Sequence, residues 1–126
     1  MKITQTALPG VAVSQSASID AGCHALAGAV IGAAARLGRG VIVNTHASVD
    51  HECVLNEGVH IAPGATLCGC VEVGAYSFVG PGAVVVPRIR IGRNVIIGAG
   101  AVVTRHLSDN VVAWGNPARI IKENQV

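Results

Sequence analysis

The sequence predicts an all-β parallel solenoid, and three observations carry that expectation: a six-residue period, a second register of small residues tied to it, and a core nearly without aromatics. Counting by six from Val13 to Val103 visits sixteen positions, fifteen of them Val, Ile or Leu, with Ala25 the exception. Two residues before each stands a small or β-branched side chain, from Ala17 and Cys23 through Ala65 and Val71 to Ala101. Side chains alternate across a strand, so positions i−2 and i share one side, and each hexad supplies two inward residues followed by a corner. Three such strands close a coil of about 18 residues, and coils stack about 4.8 Å apart through parallel backbone bonds. One Phe, one Tyr and one Trp leave the interior to aliphatics, Ala and Gly, which suits a thin, regular core better than a sandwich or a helix bundle.

The elements follow in chain order. Residues 1–12 form a lead-in. Sixteen hexads then run without interruption over 13–104, and Gly32, Gly38, Gly74, Gly80, Gly92 and Gly98, each directly after an aliphatic, read as turn formers. After Thr104 the period stops. Arg105–Asn110 reads as a polar turn, Val111–Trp114 as a short apolar segment whose Trp114 either packs under the last coil or flanks a bound adenine, and Gly115–Lys122 as a loop and tail. A solenoid end exposes unpaired strand edges, so residues 105–126 are expected to cap it.

Composition narrows the function. At 126 residues and 51% hydrophobic the chain is one folded domain. A formal charge of +2 with only 13% charged residues provides no basic face for nucleic acid. No apolar run approaches the roughly 18 residues that a membrane helix needs, and the first residues lack a secretory signal, so a cytoplasmic address is expected. Cys23, Cys53, Cys68 and Cys70 match neither a disulfide framework nor a zinc ribbon and read as small apolar filler.

An aliphatic interior cannot hold a catalytic group, so chemistry belongs on the outer faces, at corners or between subunits. Polar residues concentrate in Asn44–Cys53 and at His60, with His46, His51 and His60 close together in sequence. His51 and Glu52 occupy non-core hexad positions and face outward. A neutral imidazole accepts a proton near pH 7 without special tuning. Gly69 follows His51 by one coil and therefore stacks about 5 Å from it. A glycine there leaves its N–H uncovered, so a base and an oxyanion donor stand together, the minimum for attack on a thioester; the same glycine also suits a turn. Cys53 is at an inward position and is rejected as a nucleophile. Arg88, Arg90 and Arg93 fall around one coil corner, where they either meet the phosphates of a CoA thioester or remain solvated.

The run Asn44-Thr45-x-x-x-Val49-Asp50-His51-Glu52-Cys53, with Val59–Ala65 and Gly115-Asn116-Pro117-Ala118-Arg119, resembles the bacterial hexapeptide-repeat sugar acyltransferases. These include sialic-acid O-acetyltransferases and N-acetyltransferases of nucleotide-linked 4-amino sugars, and the likeness extends from about Pro9 to Lys122. The resemblance implies a left-handed parallel β-helix, a homotrimer, and acetyl-CoA held in the cleft between subunits. It implies His51 as general base, Asn44 and Glu52 as groups that orient or tune it, and His60 as a contact to the acetyl end of acetyl-CoA. Gly69 would donate its N–H to the thioester oxygen, and main chain at Pro81 and Ala99 would line the pantetheine; no metal is implied. Family members usually carry a small N-terminal α/β domain that helps bind the sugar nucleotide, and its counterpart here is either excised or naturally absent.

The expected activity is acetyl-CoA-dependent acetylation of an amino or hydroxyl group on a sugar or sugar nucleotide, by direct transfer. A serine-like small-metabolite acetyltransferase and a non-catalytic scaffold are the alternatives. A gamma-type carbonic anhydrase is disfavoured. His46 and His51 have the His-x4-His spacing, but the third ligand position falls on Gly10, and a catalytic zinc needs three protein ligands.

Overall fold

The computed structural model describes residues 10–125, so the expected lead-in lies outside the described residues except for its last three. Sixteen two-residue strands recur every six residues from β1 (Ala12–Val13) to β16 (Val102–Val103), followed by β17 (Val111–Gly115) and β18 (Ala118–Glu123). They form three sheets, which make the faces of a prism. Face I holds every third strand from β1 to β16. Face II runs from β2 (Ser18–Ile19) to β14 (Arg90–Ile91), and face III from β3 (His24–Ala25) to β15 (Ile96–Ile97), with β17 and β18 at its end. All strands up to β17 pair in parallel, and Ala12 aligns with Val30, Val30 with Ser48, Ser48 with Thr66: the coil is 18 residues. The fold is the expected left-handed parallel β-helix. The described residues form no helix, so none is long and apolar enough to cross a membrane.

Burial explains the two registers. Val43, Val49, Leu55, Ile61 and Leu67 are at most 1% exposed, and the small partners Ala29, Ala35, Ala47 and Ala65 are fully buried. The large residue reaches the prism axis while the small one sits beside the corner, where space is short. Polar atoms in that small register have a regular use. The Cys23 thiol donates to the Gly38 carbonyl, the Cys53 thiol to Cys68, and the Ser77 hydroxyl to Gly92 at 2.7 Å. Ser77 also accepts the Val95 N–H at 3.0 Å, which satisfies the only buried polar side chain among the described residues. The inward cysteines are therefore weak donors to a corner carbonyl as well as filler.

The corners correct one expectation. From Ile19 to Ile97 the left-handed residue stands three positions after each residue of the six-residue register, as at Gly82 (φ 68) and Gly100 (φ 69), not directly after it. The glycines directly after the aliphatics do not have positive φ; they are required by stacking. A Cβ on Gly80 would lie 2.8 Å from the Ala99 nitrogen in the next coil, whereas one on Gly100 would meet nothing within 4 Å.

The C-terminus also departs from the reading of a loop and tail. β17 adds to face III through Val112 beside Ile96, and β18 returns antiparallel along β17. Asn124 ties the end down, its amide donating to the Asn94 carbonyl at 3.0 Å. Together they cover the edge of face III. Trp114 is not packed beneath the coil; it is 48% exposed.

The outer surfaces of the three faces differ. Face II carries Arg36, Glu72 and Arg90, whereas Val30 and Val84 lie on face I and Ile42, Phe78 and Ile96 on face III.

The two kinds of glycine should respond differently to substitution. Gly100→Ala is expected to cost about 1–2 kcal/mol, the strain of a left-handed alanine. Gly80→Ala forces coils apart and should cost about 3 kcal/mol. Urea midpoints of the two variants check the order, and equal midpoints would contradict the stacking argument.

Candidate active site

His51 and Glu52 stand at the corner where β7 (Ser48–Val49) leaves face I for β8 (Val54–Leu55) on face II. The backbone there is held from both sides: the His51 N–H donates to Asp50 Oδ1 at 2.7 Å, and its carbonyl accepts the Cys70 N–H at 2.9 Å. Both side chains project into solvent, 53% and 64% exposed, and His51 Nδ1 lies 3.2 Å from Glu52 Oε1. At that exposure the pair contributes little to stability. Its chemical effect is to place the ring proton on Nδ1, which leaves Nε2 as the free base.

Nε2 faces Gly69. A Cβ built on Gly69 would lie 2.6 Å from His51 Cε1, on the imidazole itself. Gly69 has no positive φ, and the left-handed residue of that corner is Cys70 (φ 61), so the glycine makes room for the ring and does not make the turn. Its N–H is open for a reason visible at sister corners. Asp20, Asn44 and Asp50 each accept the next residue's N–H, at 2.7 Å in every case, as Asx turns do. Cys68 precedes Gly69 and offers no carboxylate or amide oxygen, and among the described residues the Gly69 N–H has no partner.

Cys70 is the neighbour that the sequence reading missed. Donor atoms of His51, Glu52 and Cys70 lie within 4.8 Å of one another. The signal was present, since Cys70 follows Glu52 by 18 residues. Cys53 is buried, its thiol pushed up to about 11 by desolvation, which agrees with its rejection as a nucleophile.

The other expected site residues lie elsewhere on the prism. Asn44 opens the corner from face III to face I, and its amide reaches His60, with Nδ2 3.2 Å from Nε2, and not His51. Thr45 donates both its N–H and its hydroxyl to Asn44 Oδ1, so the amide N–H faces the ring and His60 Nε2 must accept. Burial holds the His60 pKa below its ordinary 6.5, which keeps that acceptor neutral. Phe78, one coil on, meets the His60 ring edge-on at 5.2 Å. Pro81 and Ala99 are exposed one above the other on the same III–I corner. His46 is there too, its ring over Gly28, so His46 and His51 occupy different corners of one chain.

The three arginines do not share a corner. Arg88 is on the I–II corner, Arg90 is on face II in an ion pair with Glu72 at 3.3 Å, and Arg93 is on the II–III corner. A six-residue span crosses a whole face, which separates residues that look adjacent in sequence.

The Asn44–His60 geometry has a measurable consequence. The unfolded histidine titrates near 6.5 and the folded one lower, so the unfolded state takes up this proton first on acidification. The stability that His60 contributes is complete above pH 6.5 and declines as pH falls below it. Ring-nitrogen chemical shifts should show a neutral His60 protonated at Nδ1 at pH 7, and the Nε2–H tautomer would contradict the assignment.

Residues 70–105 match the model of the bacterial transferase hexapeptide (six repeats). The acetyltransferase domain of PglB from Neisseria gonorrhoeae, solved with acetyl coenzyme A, is 43% identical with a TM-score of 0.91, over 91% of this chain and 56% of that one. PerB from Caulobacter crescentus, solved with CoA and GDP-perosamine, is 43% identical with a TM-score of 0.88, over 90% and 55%. WeeI from Acinetobacter baumannii is 29% identical with a TM-score of 0.66, over 86% and 56%. The chain thus spans just over half the length of these proteins. What it carries is the bacterial transferase hexapeptide repeat, in a solenoid that resembles bacterial acetyltransferases over nine-tenths of its own length.

Proposed function

We propose that the chain is the catalytic part of an acetyltransferase that moves the acetyl group of acetyl-CoA to an amino or hydroxyl group of a nucleotide-linked sugar. The observation that carries this reading is the free Nε2 of His51 set against Gly69, whose N–H is unpartnered among the described residues. The similar solved chains, one holding acetyl coenzyme A and another CoA with GDP-perosamine, support the same choice of donor and acceptor class.

In the proposed reaction Nε2 takes the proton of the acceptor as its nitrogen or oxygen bonds to the thioester carbon. The Gly69 N–H holds the oxyanion of the tetrahedral intermediate. Collapse breaks the carbon–sulfur bond, and the thiolate of CoA receives the proton from Nε2, which restores the neutral base. Glu52 keeps Nδ1 protonated through both steps and stabilises the transient imidazolium. No metal and no acyl-enzyme is needed.

The site requires a second copy of the chain. His51, Glu52 and Gly69 occupy one edge of the prism, and Asn44, His60, Pro81 and Ala99 lie on face III and its far corner. A homotrimer that sets face III of one copy opposite face I of the next brings the two groups to a common cleft. The exposed apolar Val30 on face I and Ile96 on face III, against the charged face II, favour that pairing. The same cleft passes Trp114, whose exposed ring is available to the adenine of CoA.

Thiol release from acetyl-CoA, assayed with sialic acid, serine and a panel of amino-sugar nucleotides, tests the reading. Turnover is expected with a sugar nucleotide and is expected to fall roughly 10²–10⁴-fold in His51→Ala. Gly69→Ala should fold normally and lose activity by about 10²-fold, because its methyl group displaces the imidazole. Undiminished turnover in His51→Ala overturns the assignment.

A further inference from the structure

The I–II corner continues past His51 as a column of side chains in left-handed backbone. Ala34, Glu52, Cys70 and Arg88 have φ of 58, 60, 61 and 66; beyond them the chain steps by 16 residues, with Leu107 beside Ile91, so His106 comes over Arg90. At the same position the II–III corner has Gly22, Gly40 and Gly58 before Tyr76 and Asn94, and the III–I corner has glycine at every described step but His46. A left-handed non-glycine residue costs about 1–2 kcal/mol. Strain of that kind gathers where a side chain is needed for function.

Arg88, Arg90 and His106 line a cleft of about 500 Å³ with Cys70, Glu72 and Ile89. It begins at Cys70, within 4.8 Å of the catalytic pair. Glu72 is neutralised by Arg90, and Arg88 has no ion pair among the described residues. The Arg90 N–H donates to His106 Nδ1 at 2.9 Å, so His106 carries its ring proton on Nε2 and is a donor. The cleft thus has one free guanidinium fork, a second guanidinium paired to Glu72 and an N–H donor, with no unpaired carboxylate among its lining residues.

We propose that this cleft is a diphosphate-binding subsite and that it holds the diphosphate of the nucleotide-linked acceptor. The assignment to the acceptor rests on the proposed function; the diphosphate chemistry does not. Length favours the acceptor over CoA, which also carries a diphosphate. Arg88 stands two coils beyond Glu52, about 10 Å along the prism. In a 4-amino-hexose nucleotide the two phosphorus atoms lie roughly 7 and 10 Å from the amino nitrogen, at bonds of about 1.5 Å. In extended CoA the nearer phosphorus is about 16 Å from the sulfur on the same measure. The planar guanidinium of Arg88 takes two phosphate oxygens at once.

Calorimetric titration of inorganic pyrophosphate, UDP and GDP into wild type and Arg88→Gly tests the subsite. Glycine suits the left-handed backbone at that position, so the variant is expected to fold at least as well as wild type, and a urea midpoint verifies this. Binding should weaken about tenfold or more, the range for a lost charged hydrogen bond. In turnover the KM for the sugar nucleotide should rise by a similar factor while that for acetyl-CoA stays unchanged. Equal pyrophosphate affinity in the two proteins overturns the subsite. A raised KM for acetyl-CoA alone overturns its assignment to the acceptor. Arg88-dependent pyrophosphate binding in a protein that acetylates no sugar nucleotide supports the subsite and counts against the proposed function.

Discussion

The backbone bond between one coil and the next is the constraint on which everything else in this protein depends. Asp50 N–H donates to the Leu67 carbonyl and Cys68 N–H to Val85, and the same step recurs along the solenoid. The register holds through β16, so each residue of those coils sits above one 18 positions earlier, and in the closing turn the step falls to 16, with Leu107 beside Ile91 and Val112 beside Ile96. The interior becomes columns of aliphatics beside columns of small residues, and each corner becomes a column of one backbone conformation. A single inserted residue would turn every following side chain to the wrong side.

That regularity makes the main chain a rigid frame and leaves chemistry to what projects from the corners. His51 gains its proposed role from position more than from electrostatics. Its partner Glu52 is exposed, and the ring is set by the pinned backbone and by the absence of a Cβ on Gly69. The open Gly69 N–H arises from a small difference between corners, a cysteine at 68 where Asp20, Asn44 and Asp50 stand at sister positions. The same frame explains why one chain holds two incomplete groups. A prism edge can present residues only along itself, so the proposed cleft that joins both groups takes a second prism, and the contrast between apolar faces I and III and charged face II suggests which surfaces meet.

Much of this was legible from spacing. The period established the coil, the inward registers and the outward placement of His51 and Glu52, and the 18-residue step put Gly69 over His51. The same step, applied further, finds Cys70 over Glu52 and Phe78 over His60. The corner glycines were misread because composition does not distinguish a glycine needed for positive φ from one needed for close stacking. The arginines at 88, 90 and 93 were grouped because sequence distance ignores the fold of the coil around a face. Asn44 was paired with His51 by resemblance, whereas within the chain its amide faces His60.

The amino-acid sequence by itself determined the solenoid, its coil length and which side chains face out, because alternation and burial act on neighbouring residues and leave a period. Tertiary structure alone decided which outward groups meet and which glycines are irreplaceable. It alone decided that the C-terminus folds back as a strand and that Trp114 remains exposed. Those outcomes depend on contacts between coils and on the conformation of each corner, and neither leaves a periodic mark in the chain.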